Sequence, residues 1–178
     1  MIITLIGYRG SGKTSVAAGL AERLGFDWVD ADVVIEQTAG RSIREIFAAE
    51  GEPGFRQRER AVICELLRRE KLVLAAGGGA ILDADTRRDL KLAGPVVWLQ
   101  ASVDVLAERI SGDPTTAERR PNLAGGGRAE IERVLAIREP LYRECATFTI
   151  FTDRLSVAEI IDRIAIAVAA RRPPGVNR

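Results

Sequence analysis

Short apolar runs alternate with helix-like stretches along most of this chain. The first run, IITLI at residues 2–6, ends at Gly7, and four later runs have a similar length. Apolar runs of this length are typical of strands that are buried on both faces of a sheet. The sequence therefore predicts five strands, at residues 2–6, 26–29, 72–76, 95–99 and 147–151.

Between these strands, apolar residues recur every three or four positions, which indicates helices with one buried face. Residues 16–24 show this spacing before Gly25, a typical helix stop. Ser42 and Ser156 each precede a glutamate by three residues, which is the pattern of a capping box at a helix start. The predicted helices are residues 14–24, 32–39, a short helix that opens at Ser42, 54–69, 85–93, 102–110, 129–144 and 156–170.

This alternation predicts an α/β fold with three layers, in which helices cover both faces of a parallel sheet. Neither a repeat nor a linker interrupts it, so we expect one domain over residues 1–170 and a frayed polar tail at 171–178. Residues 111–128 lack a helical period and contain two prolines and a glycine triplet. That composition predicts a long loop, and long loops in compact domains often act as lids.

Composition excludes several classes of function. The chain has 178 residues, which is enough for one domain with a hydrophobic core. Its formal net charge of +1 argues against a bulk nucleic-acid binder. Two cysteines and no histidine exclude a zinc site and a Ser-His-Asp triad. The apolar run after Met1 is too short for a signal peptide, and no run approaches the ~20 apolar residues of a membrane span. We expect a cytoplasmic protein without membrane or nucleic-acid partners.

Candidate chemistry begins directly after the first strand. GYRGSGKT, at residues 7–14, matches the phosphate-loop pattern G-x-x-x-x-G-K-[ST] between a predicted strand and a predicted helix. In such loops backbone N–H groups surround phosphate oxygens and the helix N-terminus adds partial positive charge. Lys13 should reach the β- and γ-phosphates, and the Thr14 hydroxyl should ligate Mg²⁺. A merely structural turn would not explain the Lys-Thr pair.

Two further strand ends carry candidate site residues. Asp30 and Asp32 follow the second strand, where one carboxylate can hold Mg²⁺ and the other can orient an acceptor hydroxyl; alternatively, Asp32 only caps the next helix. The third strand ends without an aspartate, which disfavours an ATPase motor. A glycine triplet, residues 77–79, follows this strand instead and permits close backbone approach to a ligand. The N-K-x-D motif of GTPases is absent from the sequence. Since parallel strands end at one edge of the sheet, these groups should converge.

Two arginines complete the candidate set. Arg56 follows Phe55 near the start of a predicted helix, and Arg138 precedes Pro140 by two positions. A planar guanidinium can bind a carboxylate through two parallel hydrogen bonds. Taken alone, each arginine is better explained as a solvated surface residue, and their positions matter only together with the motifs that follow.

Together these motifs resemble the shikimate kinase family, from residue 2 to about residue 170. The resemblance implies a nucleoside monophosphate kinase-like fold with strand order 2-3-1-4-5. It also implies Mg-ATP as donor, the shikimate 3-hydroxyl as acceptor and a role in the shikimate pathway of aromatic amino-acid biosynthesis. We further expect a monomer. The pieces that carry it are GYRGSGKT, DADVVIE, GRSIREIF, Phe55-Arg56 with Glu59, AAGGGA, Arg120 before Pro121, and Arg138 with Pro140 and Tyr142.

The same resemblance implies a role for each matching residue, and it treats residues 31–60 as a substrate-binding insert and residues 111–128 as the lid. The implied catalytic residues are Lys13, Asp32 and Arg120, and the implied metal-site residues are Thr14 and Asp30. The implied shikimate-binding residues are Asp32, Arg56, Gly78, Gly79 and Arg138. The implied ATP-binding residues are Gly10, Ser11, Gly12, Lys13, Thr14, Ser15, Arg109, Arg120 and Arg154.

Two other functions fit parts of the pattern. Gluconate kinase or an adenylate kinase relative shares the fold but needs a different acceptor pocket. A non-catalytic nucleotide-binding regulator belongs to another class, and it would be expected to lose Lys13, Asp32 or the lid arginine. All three are present.

Overall fold

The computed structural model describes residues 1–112 and 127–171. Five strands lie within one or two residues of their predicted positions. Arg119, Arg120 and most of the predicted lid lie outside the described residues, as does the chain from residue 172. The strands are β1 (Ile2–Ile6), β2 (Asp27–Asp30), β3 (Leu72–Ala75), β4 (Val96–Gln100) and β5 (Phe148–Phe151).

All five strands belong to one parallel sheet with the order β2-β3-β1-β4-β5. The central strand β1 pairs with β3 on one side, from Ile2 opposite Leu72, and with β4 on the other, from Thr4 opposite Val96. This is the implied order, so the predicted fold class is confirmed. Because the strand order reverses around β1, a crevice opens at its carboxyl end, where such sheets bind ligands.

Helices connect and cover these strands, and the predicted caps form. The capping boxes at Ser42 and Ser156 are complete, and the Ser102 hydroxyl accepts from the Val105 N–H. Both ends of the predicted loop at residues 111–128 are helical, because Ser111 still belongs to one helix and the next described helix begins at Gly127. The helices are α1 (Lys13–Leu24), α2 (Ala31–Ala39), α3 (Ile43–Leu66), α4 (Ala84–Ala93), α5 (Val103–Ser111), α6 (Gly127–Cys145) and α7 (Val157–Ala169).

Helix α3 contains the two helical segments predicted from Ser42 and over residues 54–69, but with different bounds. Together they extend from Ile43 to Leu66, and Gly51 separates them with φ 68° and ψ −175°. Pro53 lies in the first turn after this break, where a missing N–H costs little. The sequence therefore predicted the division but placed its boundary incorrectly. A short 3₁₀ turn at Ala80–Leu82 was not predicted.

The core has two parts because successive residues of a buried strand face opposite sides of the sheet. Ile2 and Ile6 of β1 pack on the side of α2 to α6, whereas Ile3 and Leu5 pack on the side of α1 and α7. Burial on both sides explains why the central strands read as continuous apolar runs. Among the described residues, no helix has the length and apolar content needed to cross a membrane.

Candidate active site

The loop between β1 and α1 has the backbone that a phosphate-binding loop requires. Gly7 and Gly12 have φ values of 144° and 91°, in the region that favours glycine. A Cβ on Gly7 would lie 2.5 Å from the Leu99 carbonyl oxygen, so a side chain would prevent the loop from passing this close to β4. Gly12 is the N-cap of α1, which places a helix N-terminus, a natural anion site, at the end of the loop.

Lys13 brings a positive charge onto the same loop. Its Nζ donates to the carbonyl oxygens of Gly7 and Tyr8, at 2.9 Å and 2.8 Å, and lies 3.5 Å from the hydroxyl of buried Ser11. The ammonium therefore lies beside the backbone that precedes the α1 N-terminus. A cation held at this point can neutralise phosphate charge.

Asp30 links the end of β2 to the start of α1. The Thr14 hydroxyl donates to Asp30 Oδ2 at 2.7 Å, and the Asp32 N–H donates to Asp30 Oδ1 at 3.0 Å. Asp30, not Asp32, is thus the N-cap of α2, which corrects the alternative in which Asp32 only capped the helix. A hydroxyl and a carboxylate this close suit Mg²⁺, which usually takes few protein ligands and completes its shell with water and phosphate oxygens.

Arg56 lies on the second half of α3, between two acidic residues of the same helix. Its Nε and Nη2 donate to Glu52 Oε1, at 3.2 Å and 3.0 Å, and its Nη1 donates to buried Glu59 at 2.5 Å. Gly79 lies directly against the end of the guanidinium, since a Cβ there would be 2.4 Å and 2.5 Å from Nη1 and Nη2. The two glutamates therefore orient the guanidinium with its terminal nitrogens towards the loop after β3.

Arg138 reaches the same loop from α6. Its Nη1 donates to the Gly78 carbonyl oxygen at 3.2 Å, and the buried Tyr142 hydroxyl donates to the same oxygen at 2.6 Å. The Tyr142 ring stacks on Trp98 of β4, with ring centroids 5.6 Å apart. Arg56 and Arg138, far apart in sequence, thus meet at the adjacent residues Gly78 and Gly79.

Arg109 connects α5 to the phosphate loop and to the segment after β5. Its Nη1 lies 3.4 Å from the Gly10 carbonyl oxygen and 3.3 Å from the Thr152 hydroxyl, and its Nη2 donates to the Thr152 carbonyl oxygen at 3.3 Å. The segment after β5 is also tied to α5, because Asp153 accepts from the Ser102 N–H at 2.9 Å. Arg154 follows and is exposed.

A further contact joins the phosphate loop to the start of α6. Arg9 Nη2 lies 3.7 Å from Glu130 Oε1, and only 6% of the Glu130 side chain is exposed. Beside this pair, burial raises the pKa of the Tyr8 phenol, an effect that Glu130 reinforces while Arg9 and Arg138 oppose it. The phenol therefore stays neutral at physiological pH. The sequence offered no local signal for this contact.

Comparison with known proteins identifies the family. The model of the family described as shikimate kinase matches residues 9–169. The chain belongs to the shikimate kinase family. It is therefore grouped with ATP-dependent P-loop kinases, and the resemblance found in the sequence is confirmed.

Individual members of the shikimate kinase family are similar over nearly the whole chain. The shikimate kinase of Rhodopirellula baltica is 47% identical over 161 residues, covering 90% of this chain and 86% of that protein. A shikimate kinase from Acinetobacter baumannii, solved in complex with shikimate, is 39% identical with a TM-score of 0.89, covering 96% of this chain and 94% of that one. A gluconokinase from Sinorhizobium meliloti is 21% identical with a TM-score of 0.54, which shows a shared fold only.

The residues that the shikimate kinase resemblance singled out lie in three groups within the described structure. Thr14 and Asp30 are hydrogen-bonded to each other, and Asp32 lies in the first turn of α2 beside them. Arg56 and Arg138 meet Gly78 and Gly79, as described above. The residues predicted to bind nucleotide form the third group: Gly10, Ser11, Gly12, Lys13 and exposed Ser15 at the loop and start of α1, with Arg109 against the loop and Arg154 two positions after Thr152.

Sequence reasoning gave no role to Glu52, which shapes this site. It could have been recognised, because a glutamate four positions before an arginine on a helix places the two side chains together. Tyr142 belongs to the motif that carried the resemblance, and the resemblance also implied that the loop from Thr152 to Arg154 lies near adenine. The contacts of Tyr142 and Thr152 could not be predicted, since each contacts a residue far away in sequence: Tyr142 bonds to a carbonyl 64 positions earlier.

Proposed function

We propose that this chain transfers the γ-phosphoryl group of ATP to the 3-hydroxyl of shikimate, giving shikimate 3-phosphate and ADP. The observation that supports this proposal best is the convergence of Arg56 and Arg138 on Gly78 and Gly79. Two guanidinium groups at one loop favour a small substrate with a carboxylate. The phosphate loop lies at the end of the neighbouring strand in the same sheet.

The nucleotide would bind along the loop between β1 and α1. Backbone N–H groups from Gly10 to Ser15 and the α1 N-terminus would receive the phosphate oxygens, and Lys13 would move from its carbonyl partners to the β- and γ-phosphates. Arg109, held between Gly10 and Thr152, and Arg154 would flank the base. Arg120, outside the described residues, stays a predicted contact to the transferring phosphoryl group.

Thr14 and Asp30 would hold Mg²⁺, which in phosphoryl transfer neutralises charge on the β- and γ-phosphate oxygens. The hydroxyl would coordinate the ion, and the carboxylate would contact it directly or through water. Asp30 would keep its cap on α2 while doing so, because the Asp32 N–H uses only one of its two oxygens. The metal site would therefore be fixed to both α1 and α2.

Asp32 would accept the proton of the attacking hydroxyl. Its place in the first turn of α2, beside Asp30, lies at the end of β2 and next to the strand whose end carries Gly78 and Gly79. A substrate held by its carboxylate at that loop would present ring hydroxyls towards Asp32. Phosphoryl transfer requires little covalent assistance, so positioning would supply most of the rate.

The alternatives are less well supported. A gluconate kinase shares the fold, but the likeness to a solved gluconokinase is too low to carry function. A regulator without activity is disfavoured because Lys13 and Asp32 are present and both arginines meet the loop after β3. We also propose that the chain acts as a monomeric cytoplasmic enzyme of one domain.

An acceptor panel tests the proposal. The purified chain is incubated with Mg-ATP and, separately, shikimate, gluconate or AMP, and ADP release is followed. Shikimate alone should stimulate release, and the product should carry one phosphate on the 3-hydroxyl. Stimulation by gluconate or AMP without shikimate would assign the chain to the alternative class. ADP release that no acceptor stimulates would favour the regulator.

A further inference from the structure

The interruption in α3 separates the carboxylate-binding arginine from the rest of its helix. Gly51 has φ 68° and ψ −175°, a non-helical conformation that is essentially restricted to glycine. Arg56 and Glu59 both follow this break. Because Gly51 restricts its own dihedrals less than any other residue type, side-chain contacts across the break act together with core packing to fix the direction of the second half.

We propose that Glu50 is a positioning residue for substrate recognition, because it fixes the half-helix that carries Arg56. Glu50 is the last residue before the break and bonds to Arg58 beyond it. Arg58 Nε and Nη2 donate to Glu50 Oε2 and Oε1 at 2.8 Å and 2.9 Å, in the bidentate geometry that restricts relative rotation most strongly. Arg41, in the segment between α2 and α3, pairs with Glu50 Oε1 as well.

A second contact crosses the break between two apolar side chains. The rings of Phe47 and Phe55 stack with centroids 4.7 Å apart and an interplanar angle of 27°. Phe55 is fully buried and belongs to the hydrophobic core. The stack holds the two halves together, whereas the carboxylate of Glu50 sets their relative angle through two directional hydrogen bonds. Only 25% of the Glu50 side chain is exposed, so these bonds are partly protected from water.

The position of the half-helix matters because Arg56 is already in close contact with the substrate loop. Its terminal nitrogens lie against Gly79, and its other contacts are to Glu52 and Glu59, both on the same half-helix. Arg56 therefore moves with this half-helix as a unit. If Glu50 no longer holds Arg58, the guanidinium shifts relative to Gly79 and Arg138 and loses its alignment with a bound carboxylate.

Kinetics of charge-neutral variants test this inference, which rests on the proposed function. In Glu50→Gln the side chain keeps its shape, but one oxygen becomes an N–H₂ donor that cannot pair with an arginine. We expect the KM for shikimate to rise roughly five- to tenfold, part of what loss of a charge-assisted contact costs. The KM for ATP and kcat should change less than about twofold, since the phosphate loop and Asp32 lie on other elements.

A double-mutant cycle identifies the partner. Arg58→Gln should raise the shikimate KM in the same way, and adding it to Glu50→Gln should raise the KM little further, because both changes remove one interaction. Asp162→Asn is the matched control: it neutralises an exposed acid paired with Arg23 between α1 and α7, and it should leave both KM values unchanged.

Each outcome decides between defined alternatives. A fall in kcat without a change in the shikimate KM would indicate a folding defect and overturn the positioning role. Independent, multiplicative effects of the two substitutions would also overturn it. If shikimate does not stimulate ADP release by the wild-type chain in the acceptor panel, the proposed function is wrong. This inference then fails with it, before any variant is made.

Discussion

The Asp30 carboxylate has three roles, and the structure shows two of them. One oxygen accepts from the Asp32 N–H and caps α2, and the other accepts from the Thr14 hydroxyl. Binding Mg²⁺ is the third, proposed role. Asparagine is as good an N-cap as aspartate, so a single substitution can remove the charge while keeping the cap. The metal role can therefore be separated from the structural one.

Asp30→Asn should raise the Mg²⁺ concentration needed for half-maximal activity, because a neutral amide is a poorer ligand for a hard cation. Magnesium titrations of ADP release at fixed ATP measure this effect, with thermal unfolding as the check on the cap. Asp32→Asn offers the contrast: it should lose most turnover at every Mg²⁺ concentration, since an amide cannot accept the hydroxyl proton. Superimposable magnesium titration curves for Asp30→Asn and wild type would show that Asp30 does not hold the metal.

Arg56→Lys and Arg138→Lys should each weaken shikimate binding while barely changing ATP binding. Lysine keeps the positive charge but lacks the planar fork. A charge-assisted hydrogen bond contributes about 1.5–3 kcal/mol, so a roughly 10- to 150-fold loss of affinity is expected. Calorimetric titration with each ligand separately measures both affinities. Equal weakening of shikimate and ATP would indicate a general folding defect instead.

At the scale of elements, local pattern predicts most of the fold but not the contacts between elements. The strands were predicted well because burial on both faces makes them continuous apolar runs, and the capping boxes marked helix starts at Ser42 and Ser156. The two segments of α3 were predicted, but not how closely they follow each other, since Gly51 and Pro53 suggest a loop unless the Phe47–Phe55 stack is known. Likewise, nothing near Gly79 in sequence reveals that a guanidinium lies against it.

The Gly79 contact gives a prediction at this scale, between α3 and the loop after β3. Gly79 has φ −102° and ψ −3°, which alanine adopts without strain, so Gly79→Ala should fold. The new Cβ would meet the Arg56 guanidinium at 2.4 Å and displace it. We expect the shikimate KM to rise on the order of tenfold, equivalent to about 1.4 kcal/mol, without a change in the ATP KM.

Asp162→Asn is the control for that experiment, because Asp162 is exposed and pairs with Arg23 between α1 and α7. This substitution should be kinetically neutral. If Gly79→Ala binds shikimate as wild type does, Arg56 can move without loss of shikimate affinity. Its contact with Gly79 would then not be what aligns the guanidinium with the substrate carboxylate.

At the scale of the whole molecule, the two arginines of the proposed carboxylate site depend on distant elements. Arg56 comes from α3, Arg138 from α6, and the loop they share follows β3. The site therefore exists only when the sheet and both helices are assembled, and ligand that binds the folded state must stabilise the whole chain. Conditions that loosen α6 should thus affect both stability and binding.

Cys145, at the end of α6, provides a pH-dependent test of that packing. Burial raises the pKa of its thiol from 9.0 to about 11, and 1% of the residue is exposed. The folded chain therefore binds this proton more tightly than the unfolded chain. The resulting stability is fully present below about pH 9, and it is lost progressively as the pH rises towards 11, because the unfolded thiol ionises first.

Urea unfolding of wild type and Cys145→Ala at several pH values should separate this contribution from other titrating groups. The variant should be less stable at neutral pH, because alanine leaves a small cavity. Between pH 8 and pH 10, the free energy of unfolding should fall by about 1 kcal/mol more for wild type than for the variant, since one unit of pKa shift corresponds to about 1.4 kcal/mol. Parallel stability curves for wild type and Cys145→Ala would mean that the thiol ionises without disturbing α6, and that the end of this helix opens more readily than its burial indicates.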